Sequence, residues 1–143
     1  MAGKESRGPA EADAELFRGR PYVLTSACPE LEDWIHRIGA KLVIMPPEEH
    51  DRLVAFTSHL PQLISTALAS SMEADAARVA GPAASDLTRL ALSPYDIWRD
   101  IFETNQPSID AALGVFIAKL EELRRNLTGP EVEREFERAA RTK

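Results

Sequence analysis

The chain has 143 residues, of which 44% are apolar and 28% are charged, a balance typical of one soluble globular domain. Its formal charge is −6 and no basic run is longer than Arg124-Arg125, which argues against nucleic acid as a partner because phosphate binding needs a clustered basic surface. Cys28 is the only cysteine, and no apolar run approaches the roughly 18 residues of a membrane span. We therefore expect a cytoplasmic protein with no intrachain disulfide and no membrane partner.

The first third of the sequence predicts a β-α-β unit. After a loop-like stretch of about 15 residues rich in Gly, Pro, Ala and Glu, a strand is predicted over 21–25, a helix over 29–38 with Gly39 at its end, and a second strand over 41–45. This order implies parallel strands, yet two strands alone do not form an independently stable sheet. We therefore expect residues 1–46 to belong to a larger sheet whose other strands are missing.

Beyond Pro46-Pro47 the apolar spacing is helical throughout, which predicts a mainly α fold over residues 47–143. A long helix is expected first, followed by a short one over 86–92. Two capping boxes, residues 93–96 and 128–131, each predict a further helix start, and Asn105 is expected to close the first of these helices. The strongest amphipathic stripe lies between them and comprises Ile109, Leu113, Phe116, Ile117, Leu120 and Leu123.

Pro61 falls inside the predicted long helix, in the segment Thr57-Ser-His-Leu-Pro61. A proline there removes one backbone hydrogen bond and clashes with the carbonyl four residues earlier, so the helix should kink. A kink frees backbone polar groups beside Ser58 and His59, which makes these two residues candidates for holding a polar ligand. The alternative is a tolerated bend in which a hydroxyl bonds back to the preceding turn.

His50 and Asp51 precede this segment on the same helix. At 100° per residue, His50 and His59 point to opposite sides, so they do not share a metal ion unless the kink re-aims one of them. We therefore expect no metal site. In the simpler interpretation, His50 is exposed at the helix start and Asp51 interacts favourably with the helix dipole.

Asp86, Thr88, Arg89 and Trp98 form a second candidate group. Asp86 and Arg89 are three residues apart on a predicted helix, which is compatible with an ordinary surface ion pair. In the functional alternative, Asp86 holds Arg89 so that its planar guanidinium binds a carboxylate, a geometry that lysine does not reproduce. Trp98 fits either a core position or the wall of a ligand site.

Several segments carry a family resemblance through their order and spacing. They are residues 47–55 (Pro-Glu-Glu-His-Asp-Arg-Leu-Val-Ala), 58–61 (Ser-His-Leu-Pro), 86–91 (Asp-Leu-Thr-Arg-Leu-Ala) and 98–101 (Trp-Arg-Asp-Ile) with Asn105. Together they resemble the helical domain of the prephenate/arogenate dehydrogenase family. Residues 16–25 and 38–40 resemble the end of that family's nucleotide-binding domain, so the likeness covers about residues 1–127.

The N-terminal residues Met1-Ala-Gly-Lys-Glu5 resemble the tail of the family's Gly-x-His-Pro-Met-x-Gly segment. We therefore expect the chain to begin just after the family's catalytic histidine. Neither that histidine nor the glycine-rich dinucleotide loop occurs in the sequence. By this resemblance, residues 1–46 are the remnant of a Rossmann-like nucleotide-binding domain, and no catalytic residue is expected within the chain.

The resemblance implies an enzyme of tyrosine biosynthesis that oxidises prephenate with NAD or NADP, releasing carbon dioxide and giving 4-hydroxyphenylpyruvate. Some members act on arogenate and give tyrosine. The cofactor would bind the complete enzyme, and we expect none to bind this chain alone. A homodimer through the helical domain is implied, which makes the stripe on residues 109–123 an interface as well as a core face. A separate nucleotide-binding chain is a further expected partner.

The resemblance also implies roles for the candidate residues. Arg89 would bind a substrate carboxylate, with Asp86 orienting it. Ser58 and His59 would line the cleft between the domains, and Trp98 would close it. The expected supporting residues are His50 and Asp51.

Two departures from the family pattern stand out. Gln62 follows the Ser-His-Leu-Pro segment where several members have another histidine, at a position that faces the substrate in the family, so the choice between prephenate and arogenate stays open. Ala83 replaces a glycine that commonly follows Pro82, and alanine would be strained if that backbone needed positive φ.

Two other classes of function are compatible with the residues. One is a non-catalytic helical dimerisation module. The other is a metal-dependent phosphohydrolase that uses a His-Asp pair, for which the loose candidates are His36, His50, Asp51 and Asp96.

Overall fold

The computed structural model describes residues 8–142, so that Met1–Glu5 and the first part of the predicted N-terminal loop lie outside it. A two-stranded parallel sheet is formed by β1 (Pro21–Leu24) and β2 (Lys41–Ile44), which helix α1 (Pro29–Arg37) connects. Gly39 ends α1 at φ 73°, in the left-handed conformation that favours glycine. The predicted β-α-β unit is confirmed, and each of its elements ends one residue earlier than predicted.

After β2 the described chain is helical apart from short connections. The helices are α2 (Pro47–Val54), α3 (Leu60–Ser71), α4 (Pro82–Thr88), α5 (Tyr95–Thr104), α6 (Gln106–Arg125) and α7 (Pro130–Ala140). Two 3-10 segments, Ala74–Val79 and Arg89–Leu92, connect α3 to α4 and α4 to α5. The predicted mainly α fold class is therefore confirmed.

A π-turn, Ala55–His59, joins α2 to α3 within one helical run. The backbone N–H of Leu60 bonds the carbonyl of Ala55, five residues back. Pro61 follows at once, and because it has no N–H it leaves the carbonyl of Thr57 without the usual helical donor. The irregularity predicted at Pro61 thus takes the form of a widened turn, an arrangement that recurs at functional sites in helices.

The core lies where α6 crosses the π-turn. Ala55 and Ala112 are both fully buried there, and Leu60 and Ile109 are nearly so. Because Ala55 and Ala112 have small side chains, the larger side chains of this cluster pack around them. The surrounding half-buried residues are Leu63, Ile64, Phe102, Leu113 and Phe116.

One predicted helix start is wrong, since the short helix begins at Pro82 rather than Asp86, because proline suits a first helical position and two alanines follow it. The two starts predicted from capping boxes are confirmed, because α5 begins at Tyr95 and α7 at Pro130, but neither helix has a side-chain cap. The hydroxyl of Ser93 instead accepts a hydrogen bond from Trp98 Nε1 at 2.9 Å.

Ala83 lies inside α4, and no described residue other than glycine has positive φ. The strain considered for this alanine therefore does not arise within residues 8–142.

The part of α6 beyond the core carries exposed apolar side chains. Val115, Ile117 and Leu120 are 62%, 47% and 48% exposed, whereas Ile109 and Ala112, nearer the N-terminus of the helix, are buried. The stripe predicted on this helix thus divides along its length, because Ile109 lies in the core whereas Ile117 and Leu120 are exposed among the described residues. None of the helices within residues 8–142 combines the length and hydropathy needed to cross a bilayer.

Replacing Ala112 by leucine should destabilise the fold, since this position is fully buried in the core cluster and the added carbon atoms must displace neighbouring side chains. We expect Ala112→Leu to lower the free energy of unfolding by about 1–3 kcal/mol, measured by urea denaturation. Ala111→Leu is the matched control, because Ala111 is exposed on the same helix and its replacement should change stability by less than about 0.5 kcal/mol. Equal effects of the two substitutions would contradict this account of the core.

Candidate functional site

The structure distributes the predicted site residues along one helical run and the elements packed on it. His50 and Asp51 lie on α2, Ser58 and His59 on the π-turn, and Gln62 on α3. Asp86 lies on α4, Arg89 opens the 3-10 segment after it, and Trp98 lies on α5. Two groups of contacts result, one around His59 and one around Gln62.

His59 is the centre of the first group. It is 7% exposed, and its ring meets the ring of Trp98 edge-on, with centroids 6.2 Å apart and planes at 82°. Trp98 in turn stacks on Phe102 at 5.6 Å. The structure therefore brings together His59 and Trp98, two residues that the sequence places 39 positions apart.

Asn105 joins His59 to α2. Its Nδ2 donates to the backbone carbonyl of Asp51 at 2.8 Å and lies 3.3 Å from His59 Nδ1. The carboxylate of Asp51 contacts His50 Nδ1 at 3.0 Å, and both of these residues are half-buried. Asp51, His59 and Asn105 thus form one polar group, which Trp98 contacts through the ring of His59.

Burial is the main cause that lowers the pKa of His59 below its ordinary value, because a buried imidazolium loses its hydration. The carboxylate of Asp51 opposes this shift, and the charge of His50 adds to it. Both residues therefore act electrostatically on His59, although an ideal helix would direct His50 and His59 to opposite sides. The net effect favours a neutral His59 at pH 7.

Gln62 is the centre of the second group. It is 4% exposed, and its Nε2 donates to the carbonyl of Leu90 at 2.9 Å and to Thr66 Oγ1 at 3.2 Å. One turn further along α3, Ser65 Oγ accepts a hydrogen bond from the backbone N–H of Ala91 at 3.0 Å. These bonds hold the 3-10 segment Arg89–Leu92 against α3. The Oε1 atom of Gln62 is buried and has no hydrogen-bond partner among the described residues.

Arg89 is the first residue of this tethered segment, and its side chain is exposed. Asp86, also exposed, lies three residues earlier at the end of α4. The orientation of Arg89 by Asp86 stays a prediction. The tether, by which we mean the hydrogen bonds of Gln62 and Ser65 to Leu90 and Ala91, fixes the backbone from which the Arg89 side chain extends.

Sequence reasoning missed two residues that organise the site. Asn105 was interpreted as closing a helix, which it does, but its amide also bonds Asp51, 54 residues away. Ser65 carried no signal, since a serine within a helix normally bonds its own backbone. No local sequence pattern predicts either long-range contact.

A metal centre does not fit the described residues, because no group of three or more His, Cys, Asp and Glu side chains within 8–142 could hold an ion. The phosphohydrolase alternative therefore lacks the cluster it requires in this part of the chain.

The turn from β1 into α1 does not fit a dinucleotide. It contains no glycine, and Glu30 and Glu32 occupy the first helical turn, where they would repel a pyrophosphate. Moreover, the N–H of Cys28 already bonds Glu32 Oε1 at 3.0 Å. Any nicotinamide cofactor must be held by residues other than these.

Comparison with known proteins agrees with the helical fold described above. The family described as "Prephenate dehydrogenase, dimerization domain" matches residues 46–140. Cyclohexadienyl dehydrogenase of Zymomonas mobilis is 33% identical over 138 residues, covering 87% of this chain and 47% of that protein. Prephenate dehydrogenase of Bacillus subtilis is 29% identical over 137 residues, covering 87% of this chain and 37% of that protein. The chain thus spans less than half the length of these relatives.

Solved structures extend the likeness over nearly the whole chain, including the β-α-β unit. Arogenate dehydrogenase of Synechocystis has a TM-score of 0.79 and 28% identity, covering 97% of this chain and 56% of that chain. Prephenate dehydrogenase of Aquifex aeolicus, solved with hydroxyphenyl propionate and NAD+, has a TM-score of 0.79 and 26% identity, covering 99% of this chain and 54% of that chain.

Fold and match together define a chain that carries the dimerization domain of a dehydrogenase. More particularly, the chain belongs to the prephenate dehydrogenase family.

The lowered pKa of His59 predicts a pH-dependent stability. The unfolded chain holds this proton more tightly than the folded chain, so the free energy of unfolding should fall as the pH falls through about 6.5. Urea denaturation at several pH values between about 5 and 8 measures the slope. In His59→Gln the slope should decrease, whereas His36→Gln, which changes an exposed histidine on α1, should keep it. Identical slopes in all three proteins would refute the assignment to His59.

Proposed function

We propose that this chain is the substrate-binding and dimerisation half of an NAD(P)+-dependent dehydrogenase that acts on prephenate or arogenate in tyrosine biosynthesis, in the cytoplasm. In this proposal residues 1–46 are the end of the nucleotide-binding domain and residues 47–143 form the helical domain. The observation that carries the proposal is the family match over residues 46–140, which includes Ser58, His59, Gln62, Asp86, Arg89 and Trp98.

The reaction oxidises the cyclohexadienyl substrate and releases carbon dioxide, giving 4-hydroxyphenylpyruvate from prephenate or tyrosine from arogenate. The sequence contains no Gly-x-His-Pro segment and no Gly-x-Gly-x-x-Gly loop. NAD or NADP, which accepts the hydride, would therefore be bound by a nucleotide-binding half beyond these residues, on the same or a separate chain. This chain alone should bind no cofactor and catalyse no hydride transfer.

In this proposal Arg89 binds a carboxylate of the substrate. A substrate carboxylate pairs well with a guanidinium, which offers two parallel N–H donors, and Asp86 would orient that group. The support for this role is the tether that Gln62 and Ser65 make to the segment Arg89–Leu92, because a fixed backbone reduces the conformational entropy lost on binding. Arg89 would thereby set the position of the substrate side chain.

His59 and Trp98 would form the wall of the cleft, with Ser58 beside them. Neutral His59 can donate one hydrogen bond without bringing a charge into the site, and the aromatic face of Trp98 suits a six-membered apolar ring. His50 and Asp51 support this wall through the contact of Asp51 with Asn105. These roles are compatible with the burial and contacts of each residue.

The exposed apolar residues of α6 would bind a second copy of the chain, giving a homodimer. Ile117 and Leu120 are exposed on the part of α6 that extends beyond the core, and Val115 adds apolar surface there. Burying such surface is the main favourable term in stable association. The matching family is described as a dimerization domain, which supports a homodimer.

Activity can be tested by fusing this chain behind the nucleotide-binding half of the Zymomonas mobilis cyclohexadienyl dehydrogenase. The fusion should reduce NAD+ or NADP+ in the presence of prephenate or arogenate, and the chain alone should not. Arg89→Lys in the fusion should raise KM by about tenfold or more, since a charge-assisted pair contributes about 1.5–3 kcal/mol. Arg99→Lys, at an exposed position of α5, is the control and should leave KM unchanged.

A folded fusion that binds NAD+ yet turns over neither substrate would refute the proposed function. Turnover by the unfused chain would refute the assignment of hydride transfer to other residues.

The homodimer can be tested by sedimentation velocity. Leu120→Lys places a charge among the exposed apolar residues of α6 and should convert the dimer to monomer at micromolar concentrations, because a buried unpaired charge opposes association. Asp110→Lys changes a charge at an exposed position of the same helix and should leave the dimer intact. A monomeric wild-type chain, or a dimer unaffected by Leu120→Lys, would contradict this interface.

A further inference from the structure

Asn105 lies at the junction of α5 and α6 and is 6% exposed. Its Nδ2 contacts two acceptors at once, the carbonyl of Asp51 at 2.8 Å and the ring of His59 at 3.3 Å. In a helix the carbonyls point toward the C-terminus, whereas the side chains lean toward the N-terminus. The carbonyl of Asp51 and the ring of the later residue His59 therefore approach the same nitrogen atom of Asn105.

The contact with Asp51 fixes the orientation of the amide. If the amide of Asn105 were reversed, its Oδ1 would face the carbonyl oxygen of Asp51, with two acceptors in contact and no hydrogen between them. The nitrogen must therefore face Asp51, and it is this same nitrogen that faces His59 Nδ1.

An amide NH2 group donates two hydrogen bonds and accepts none. One hydrogen of Asn105 is directed to Asp51, and the other is available to His59, so Nδ1 of the imidazole must be the acceptor. A neutral imidazole with a free lone pair on Nδ1 carries its hydrogen on Nε2. Protonating Nδ1 would bring two donors face to face.

We propose that Asn105 is a positioning residue that holds His59 in the tautomer with hydrogen on Nε2, so that the ring offers a donor to an oxygen of the substrate. The role of His59 toward substrate rests on the proposed function, whereas the tautomer follows from the contacts of Asn105 alone. Trp98 holds the plane of the ring through its edge-on contact, and Asn105 sets which ring nitrogen is protonated.

The chain offers a closely matched control in Asn126. Asn126 follows α6 at φ −123° and ψ 25°, as Asn105 follows α5 at φ −119° and ψ 23°. Its Nδ2 donates to the carbonyl of Glu122 at 3.0 Å, so the same amide-to-carbonyl bond is made without a histidine. Substitutions at Asn126 therefore reproduce the loss of a helix-end amide.

The test is a long-range ¹H–¹⁵N correlation spectrum of the histidine rings in the whole chain at a pH near 8, where histidine is neutral. The chain has three histidines, so His36→Gln and His50→Gln assign the signals. Wild-type His59 should show a protonated Nε2 and an unprotonated Nδ1. Asn105→Asp supplies an acceptor in place of the donor and should move the hydrogen to Nδ1, whereas Asn126→Asp should leave the His59 pattern unchanged.

Asn105→Ala provides a second variant if Asn105→Asp does not fold, and it should give averaged signals from both tautomers. A hydrogen on Nδ1 in the wild-type chain, or a His59 pattern that no Asn105 substitution alters, would overturn the proposal. Because the spectra need no substrate, this outcome is independent of the proposed function. In the active fusion, Asn105→Ala should raise KM at least tenfold more than Asn126→Ala does. If the two substitutions raise KM equally, Asn105 does not act on substrate binding through His59.

Discussion

The missing N–H of Pro61 is the constraint on which the rest of the helical region depends. Because Pro61 has no N–H to donate to the carbonyl of Thr57, the residues directly before it adopt a π-turn rather than a regular α-helical turn. That turn contributes Ala55 to the core cluster that includes Ala112 of α6, and it places His59 near the α5–α6 junction. A single backbone irregularity thus positions both a fully buried core residue and the most buried histidine.

Sequence patterns predicted the parts of this fold that local physics decides. The β-α-β unit followed from strand-like runs separated by a helix that ends in glycine, and the irregularity at Pro61 followed from proline chemistry alone. The helices that the two capping boxes predicted do form, but their side-chain caps do not. At Ser93 the hydroxyl instead accepts a hydrogen bond from the indole of Trp98, five residues later.

The sequence predicted which residues belong to the candidate site but not the contacts that hold them in place. The family resemblance indicated His59, Gln62 and Arg89, but it did not indicate how they are held. The hydrogen bond between Ser65 and Ala91 spans 26 residues and the bond between Asn105 and Asp51 spans 54. No periodic sequence pattern predicts contacts between residues so far apart in the chain. These contacts depend on helices packing side by side, which is a property of the tertiary fold rather than of any segment.

Asn105 is also the residue directly before α6, and this position has a geometric consequence. The exposed apolar residues of α6 begin at Val115, about 15 Å further along the same helix at 1.5 Å per residue. The residue that bonds Asp51 and contacts His59 therefore also marks where α6 starts. One helix thus sets the distance between the candidate site at its first residue and the apolar surface on its second half.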